Sequence, residues 1–197
     1  MRVVLDTSVL VAGLRSRLEA SNRVLFEVAE RRCTPLVTTA VFLEYEAVLL
    51  RSEHRLATGM SPEDVEGFLA AFASAAEPVD LNFYWRPQLR DPADKLMLEA
   101  AVNGRADILV THNVGDFQSA TALKLPNSVR QAAAELAKID GVSLNQFIAA
   151  AVAEKVGTLR TASEFLRQRA GTAKPKDLLK FLRRAPKTPP IEGDERN

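Results

Sequence analysis

Short apolar runs alternate with longer stretches of helical apolar spacing as far as residue 118. Val3, Val4 and Leu5 form the first run, closed by an acid, and Arg2–Asp6 reads as a short buried strand. Thr7–Leu14 starts a helix. Ser21–Arg32 is a second, with Val24, Leu25 and Val28 on one face. Pro35–Thr38 is a short strand, and Thr39 stands where it would cap a helix running through Phe42, Leu43 and Leu50. Ser61-Pro62-Glu63-Asp64 is a strong helix start: a hydroxyl to accept from free amides, a proline with no amide to waste, then acids. That helix is expected to reach about Ala76. Pro78–Phe83 is a strand or an extended link. Pro92 and the acids around it open a helix to about Asn103, with Gly104 as its stop. Ile108–Thr111 is a buried strand followed by a turn. Strands alternating with helices predict an α/β fold with a mainly parallel sheet.

The pattern changes after Asp116. Thr121–Leu125 alternates, with Leu123 and Leu125 on one side and Ala122 and Lys124 on the other, and ends at Pro126. Helices follow over Asn127–Lys138 and Ser143–Val156, joined by Asp140-Gly141. Val129, Ala133 and Leu136 make one apolar stripe; Leu144, Phe147, Ile148, Ala151 and Val152 make another. One strand and two short helices cannot close a core alone, so a partner chain is expected to complete it. Gly171–Asn197 is rich in proline and charge. Apart from one amphipathic stretch, Lys176–Arg184, it reads as a tail that orders only on contact. The expected division is 1–118, 119–157 and 158–197, the last partly disordered.

Composition adds bounds. The 197 residues are 47% apolar and 26% charged, ordinary for a globular protein. No apolar run approaches the roughly 18–20 residues of a membrane span. A single cysteine, Cys33, excludes an intramolecular disulfide and suits a reducing cytoplasm. The net charge of +1 conceals an asymmetry. Residues 1–118 hold 12 Lys and Arg against 17 Asp and Glu, whereas residues 119–197 hold 14 against 8. An acidic front suits cations; a basic back suits phosphate, or the acidic front itself.

Four acids stand where an open α/β sheet collects ligands, at or after the carboxyl ends of strands: Asp6, Glu44, Asp94 and Asp116. Carboxylates converging there repel unless a cation neutralises them, and hard oxygen donors suit Mg²⁺ or Mn²⁺ and phosphoryl chemistry. Singly, Asp94 also serves as a helix N-terminal acid, Asp116 as a turn residue and Glu44 as a surface charge. Asp6 does not fit such a reading, because an acid interrupting a Val-Val-Leu run is costly without a purpose.

These residues carry a resemblance. VVLDTSVLVAGL (Val3–Leu14) resembles the opening of PIN domains, the fold of VapC-type toxins, and FLEYEAVLL (Phe42–Leu50), RDPADKLMLEAA (Arg90–Ala101) and ADILVTHNVGDF (Ala106–Phe117) resemble three further blocks of that family in order. The resemblance implies a ribonuclease that cuts with metal-activated water, leaving a 5′-phosphate and a 3′-hydroxyl. It places Asp6, Glu44, Asp94 and Asp116 as the catalytic acids, Asp6, Asp94 and Asp116 among them holding Mg²⁺ or Mn²⁺, and Ser8 and Thr111 as polar supporters. Asp91 competes with Asp94, Glu46 with Glu44, and Asn113 stands where many relatives carry an acid. His112 and His54 read as solvated turn residues.

Thr121–Val156 is similar to ribbon-helix-helix proteins, dimeric DNA binders that often serve as antitoxins, through LKLP and GVSLNQFI. That likeness implies a homodimer or larger assembly. It puts Ala122 and Lys124 towards bases of an operator DNA, and Ser143 and Asn145 near a phosphate at a helix start. Dimerisation without DNA binding is the other reading. In such antitoxins the following segment covers the toxin site, and Arg167, Arg169, Arg183 and Arg184 would be the masking cations, or else a solvated basic face. The expected function is a toxin-like endoribonuclease acting on RNA and fused to its antitoxin-like module. The alternatives are a DNA-binding autoregulator with a catalytically weak PIN platform, or a nuclease for branched DNA.

Overall fold

A computed structural model of the chain describes residues 1–81, 92–117 and 162–195. The strand and helices expected between Thr121 and Val156 lie outside the described residues.

Four short parallel strands form one sheet in the order β3-β2-β1-β4: β1 (Arg2–Leu5), β2 (Thr34–Val37), β3 (Glu77–Pro78) and β4 (Ile108–Val110). β1 is central because it is apolar on both faces: Val3, Val4 and Leu5 are all buried. β4 differs from expectation. It is an edge of the described sheet, and Ile108 is 46% exposed.

Helices connect and flank the strands. α1 (Thr7–Arg15) and α2 (Ala20–Ala29) link β1 to β2. α3 (Thr39–Leu49) is capped by Thr38, one residue before the position expected, whose side chain accepts from the Val41 amide at 3.1 Å. α4 (Ser52–Thr58) is absent from the sequence reading and ends at Gly59, in the left-handed region at φ 67°. α5 (Pro62–Ala75) starts as expected, with a reciprocal capping box between Ser61 and Asp64. α6 (Pro92–Gly104) and α7 (Val114–Phe117) bracket β4.

Residues beyond 161 return to this domain. A helix, α8, covers residues 162–170; a 3₁₀ turn, Pro175–Asp177, leads into α9 (Leu178–Arg184). Leu166, Leu178, Phe181 and Leu182 belong to the same apolar core as Val4, Leu36 and Phe72. Phe165 meets Phe42 edge-on at 5.5 Å, and Phe181 meets Phe68 edge-on at 6.1 Å. Residues 162–195, within the stretch expected as a tail partly disordered and ordering only on contact, do make such contact, burying large apolar side chains against this chain's own α2, α3 and α5. Among the described residues no helix is long and apolar enough to cross a membrane.

Candidate active site

Strand pairing continues one residue past β1. The Asp6 amide donates to the Val110 carbonyl at 2.8 Å, so Asp6 and Thr111 leave the sheet side by side. Both lie at the carboxyl edge of parallel strands, where α/β sheets build sites. Thr111 Oγ1 donates to Asp6 Oδ2 at 2.6 Å and Ser8 Oγ donates to the same oxygen at 2.7 Å. Two donors on one oxygen fix the carboxylate and leave Oδ1 for a ligand. Thr111 Oγ1 is oriented in turn by the Asn113 amide, which donates to it at 2.9 Å. Beneath the strand end, the hydroxyl of the fully buried Tyr45 donates to the Leu5 carbonyl. Burial pushes the Tyr45 hydroxyl far above its ordinary value and the neighbouring Asp6 charge adds to the rise, so it stays a neutral donor.

Asp6 opens into a cleft of about 370 Å³ that Glu44, from α3, and Asp94, from the first turn of α6, also line. Asp6 and Asp94 are 7% and 6% exposed, and Glu44 is half-buried. Three carboxylates from three elements thus meet one space. Among the described residues no group of three His, Cys, Asp or Glu side chains closes tightly enough to hold an ion alone. The donor set still fits Mg²⁺ or Mn²⁺: such an ion keeps several waters and takes only one or two carboxylates plus substrate phosphate. Thr7 Oγ1, buried on the same wall, has no partner among the described residues and is a further oxygen for a polar ligand.

A family profile described as PIN domain matches residues 2–115, more than half of the chain. The chain belongs to the PIN-domain family. PIN domains are typically nucleases, hydrolases that generally use divalent metal ions. No curated protein and no solved structure matches the chain.

In this PIN domain the competition between neighbouring acids has a geometric side. Glu44 lines the cleft, whereas Glu46 pairs with Arg169 elsewhere on the surface. Asp94 lines it, and Asp91 lies outside the described residues. Asn113 lines it as well; Asp116 falls within α7, and the placement of its side chain is not described. Ala122, Lys124, Ser143 and Asn145 also lie outside the described residues. The four arginines expected to mask the site do not line it. Arg167 pairs with Glu164 on its own helix, Arg169 pairs with Glu46 and lies over the Phe42 ring, Arg184 pairs with Asp64 at 3.0 Å, and Arg183 is exposed. A larger hollow of about 740 Å³, lined by Glu63, Glu66, Phe165 and Arg169, has no strand-end carboxylate, and its chemistry does not compete.

Sequence reasoning missed several cleft residues. His112, His54 and Arg15 line it, as does Ile191 from beyond α9. Arg15 is tied to Glu19, a fully buried acid whose carboxyl burial pushes above the ordinary range despite the guanidinium. His112 is only 19% exposed, against the expected solvated turn residue.

Proposed function

We propose that this chain is a metal-dependent endoribonuclease of the toxin type. The observation that carries the reading is the meeting of Asp6, Glu44 and Asp94 in one cleft at the carboxyl edge of a PIN-domain sheet. Asp6 and Asp94 would hold Mg²⁺ or Mn²⁺, with Asp116 the third candidate. When bound, such an ion polarises the phosphate and lowers the proton affinity of a water. Ser8 and Thr111 keep the Asp6 carboxylate in one orientation, which limits the reorganisation needed when phosphate enters. Glu44, half-buried in the cleft lining, would take the proton of the attacking water. Cleavage of the bond from phosphorus to O3′ leaves a 5′-phosphate and a 3′-hydroxyl.

The second part of the proposal rests on the sequence likeness of residues 121–156 to ribbon-helix-helix proteins. That module would dimerise the chain and allow it to bind an operator DNA through Lys124. The test is cleavage of single-stranded RNA by the full chain with added Mg²⁺ or Mn²⁺. Asp6→Asn is expected to reduce the rate by on the order of 100-fold or more, with the fold intact by circular dichroism. Cleavage that survives this change would sink the assignment. A chain that retards DNA from its own promoter yet never cleaves RNA would favour the autoregulator.

A further inference from the structure

The segment after α9 runs along the α1–α2 turn and ends in the cleft wall. The Arg17 amide donates to the Pro186 carbonyl at 2.9 Å, Thr188 Oγ1 donates to the Arg15 carbonyl at 3.0 Å, and Ser16 Oγ donates to the Thr188 carbonyl. The Ala20 amide donates to the Asp194 carbonyl at 2.8 Å, and Glu19 bridges Glu195 antiparallel. Ser16 and Ser21 are buried under this segment. So many buried polar contacts describe a fixed wall, not a lid poised to lift.

Asp194 is the anchor of that wall. It is 3% exposed, and its Oδ1 accepts from the Ser21 amide at 2.9 Å and from Ser21 Oγ at 3.0 Å. Ser21 Oγ also lies 3.0 Å from His112 Nε2, and Asp194 Oδ2 lies 3.8 Å from the same nitrogen. A carboxylate only accepts, so the single proton of the Ser21 hydroxyl goes to Asp194. Ser21 Oγ must then accept from His112, which puts a proton on Nε2. In the neutral ring this leaves Nδ1 as an acceptor in a residue that lines the nuclease cleft.

We propose that His112 is a specificity-determining residue of the cleft, with Asp194 and Ser21 its positioning residues, and that Nδ1 accepts a hydrogen bond from a ribose 2′-hydroxyl. The hydroxyl is the donor that distinguishes RNA from DNA, and the inference rests on the nuclease reading above. Deoxyribose offers no donor there, so discrimination follows from a fixed tautomer.

The test uses the full chain with Mn²⁺ on an oligoribonucleotide and on the deoxyoligonucleotide of the same sequence, comparing wild type, Ser21→Ala, His112→Ala, their double variant and Asp6→Asn. Ser21→Ala keeps the backbone amide that holds Asp194. Each single change should raise KM for RNA by about five-fold, the scale of one neutral hydrogen bond, with kcat within about two-fold and KM for DNA unmoved. The double variant should lose no more than His112→Ala. The ¹⁵N shifts of His112 should report the Nε2-protonated form in the wild type and lose it in Ser21→Ala. Additive losses, equal effects on RNA and DNA, a gain in activity, or an unchanged tautomer in Ser21→Ala would each overturn the proposal. Cleavage that survives Asp6→Asn, or no cleavage by the wild type, overturns the nuclease reading instead. In that case the tautomer shifts and metal-free binding of the two oligonucleotides decide the sugar preference.

Discussion

The carboxylate of Asp6 is held by groups that are themselves held. Ser8 and Thr111 fix one oxygen, Asn113 fixes Thr111, and Tyr45 ties down the strand end from below. Tyr45→Phe keeps the ring and removes only the hydroxyl that serves the Leu5 carbonyl. It is expected to cost about 1–3 kcal/mol, the penalty for stripping a buried acceptor of its donor, read as a lowered denaturation midpoint with an unchanged slope. Asp6 was legible in the sequence because it breaks an apolar run, which has few structural excuses. Asp194 was not. Its partner Ser21 lies 173 residues earlier, and nothing local marks an acid in a proline-rich stretch as buried. His112 was misread for the same reason: a turn after a strand looks solvated until the segment that covers it is in place.

Among elements, the helix boundaries with a chemical mark were readable and those set by packing were not. Ser61 and Asp64 announce α5 in four residues. Gly104 was expected to stop α6. It does end the helix, but the left-handed residue is Arg105, at φ 51°. Gly104 is needed for another reason: a Cβ there would lie 2.8 Å from Leu36 Cδ1 and 2.9 Å from Val79 Cγ2. Gly104→Ala is expected to destabilise the fold by about 1–3 kcal/mol, measured by chemical denaturation.

The packing of α9 on α5 is expected to depend on pH. The Arg184 guanidinium, hydrogen-bonded to Asp64, holds that carboxyl below its ordinary value. A carboxyl depressed on folding stabilises the native state above its ordinary range, and the gain is lost as pH falls through the lowered folded value. Melting curves of the wild type and Asp64→Asn should therefore differ at neutral pH and converge under acid. Both side chains are partly exposed, so the separation should be small and should shrink further in salt.

For the whole molecule, the charge split between the two halves of the sequence was a real signal with a displaced target. Basic residues of the later half do meet acids of the earlier half, in the Arg169–Glu46 and Arg184–Asp64 pairs. Those acids lie on helix surfaces and not in the cleft. Charge counts identify matching signs, but only the path of the chain decides which carboxylates are met. The same path carries residues beyond 161 back onto the core of the domain that the family profile spans at residues 2–115. A chain cut at residue 118 would lack four buried core side chains, Leu166, Leu178, Phe181 and Leu182. Each is worth about 1.5–3 kcal/mol, and a domain of this kind has only about 5–15 kcal/mol in all. Residues 1–118 alone should therefore fail to give a cooperative thermal transition. Replacing residues 118–161 by a flexible linker that spans the gap should retain one, since loop closure depends only weakly on length.

Because Ile191 furnishes part of the cleft wall, and the buried Asp194 behind it holds Ser21, the order of synthesis acquires a meaning. The acids at positions 6, 44 and 94 leave the ribosome well before Asp194 does. At about 5–20 residues per second, the interval from Phe117 to Asp194 lasts roughly 4–15 s. Throughout it the nascent chain carries its carboxylates without the residue that sets His112. The cleft of this PIN domain is thus completed only after the intervening segment has been made.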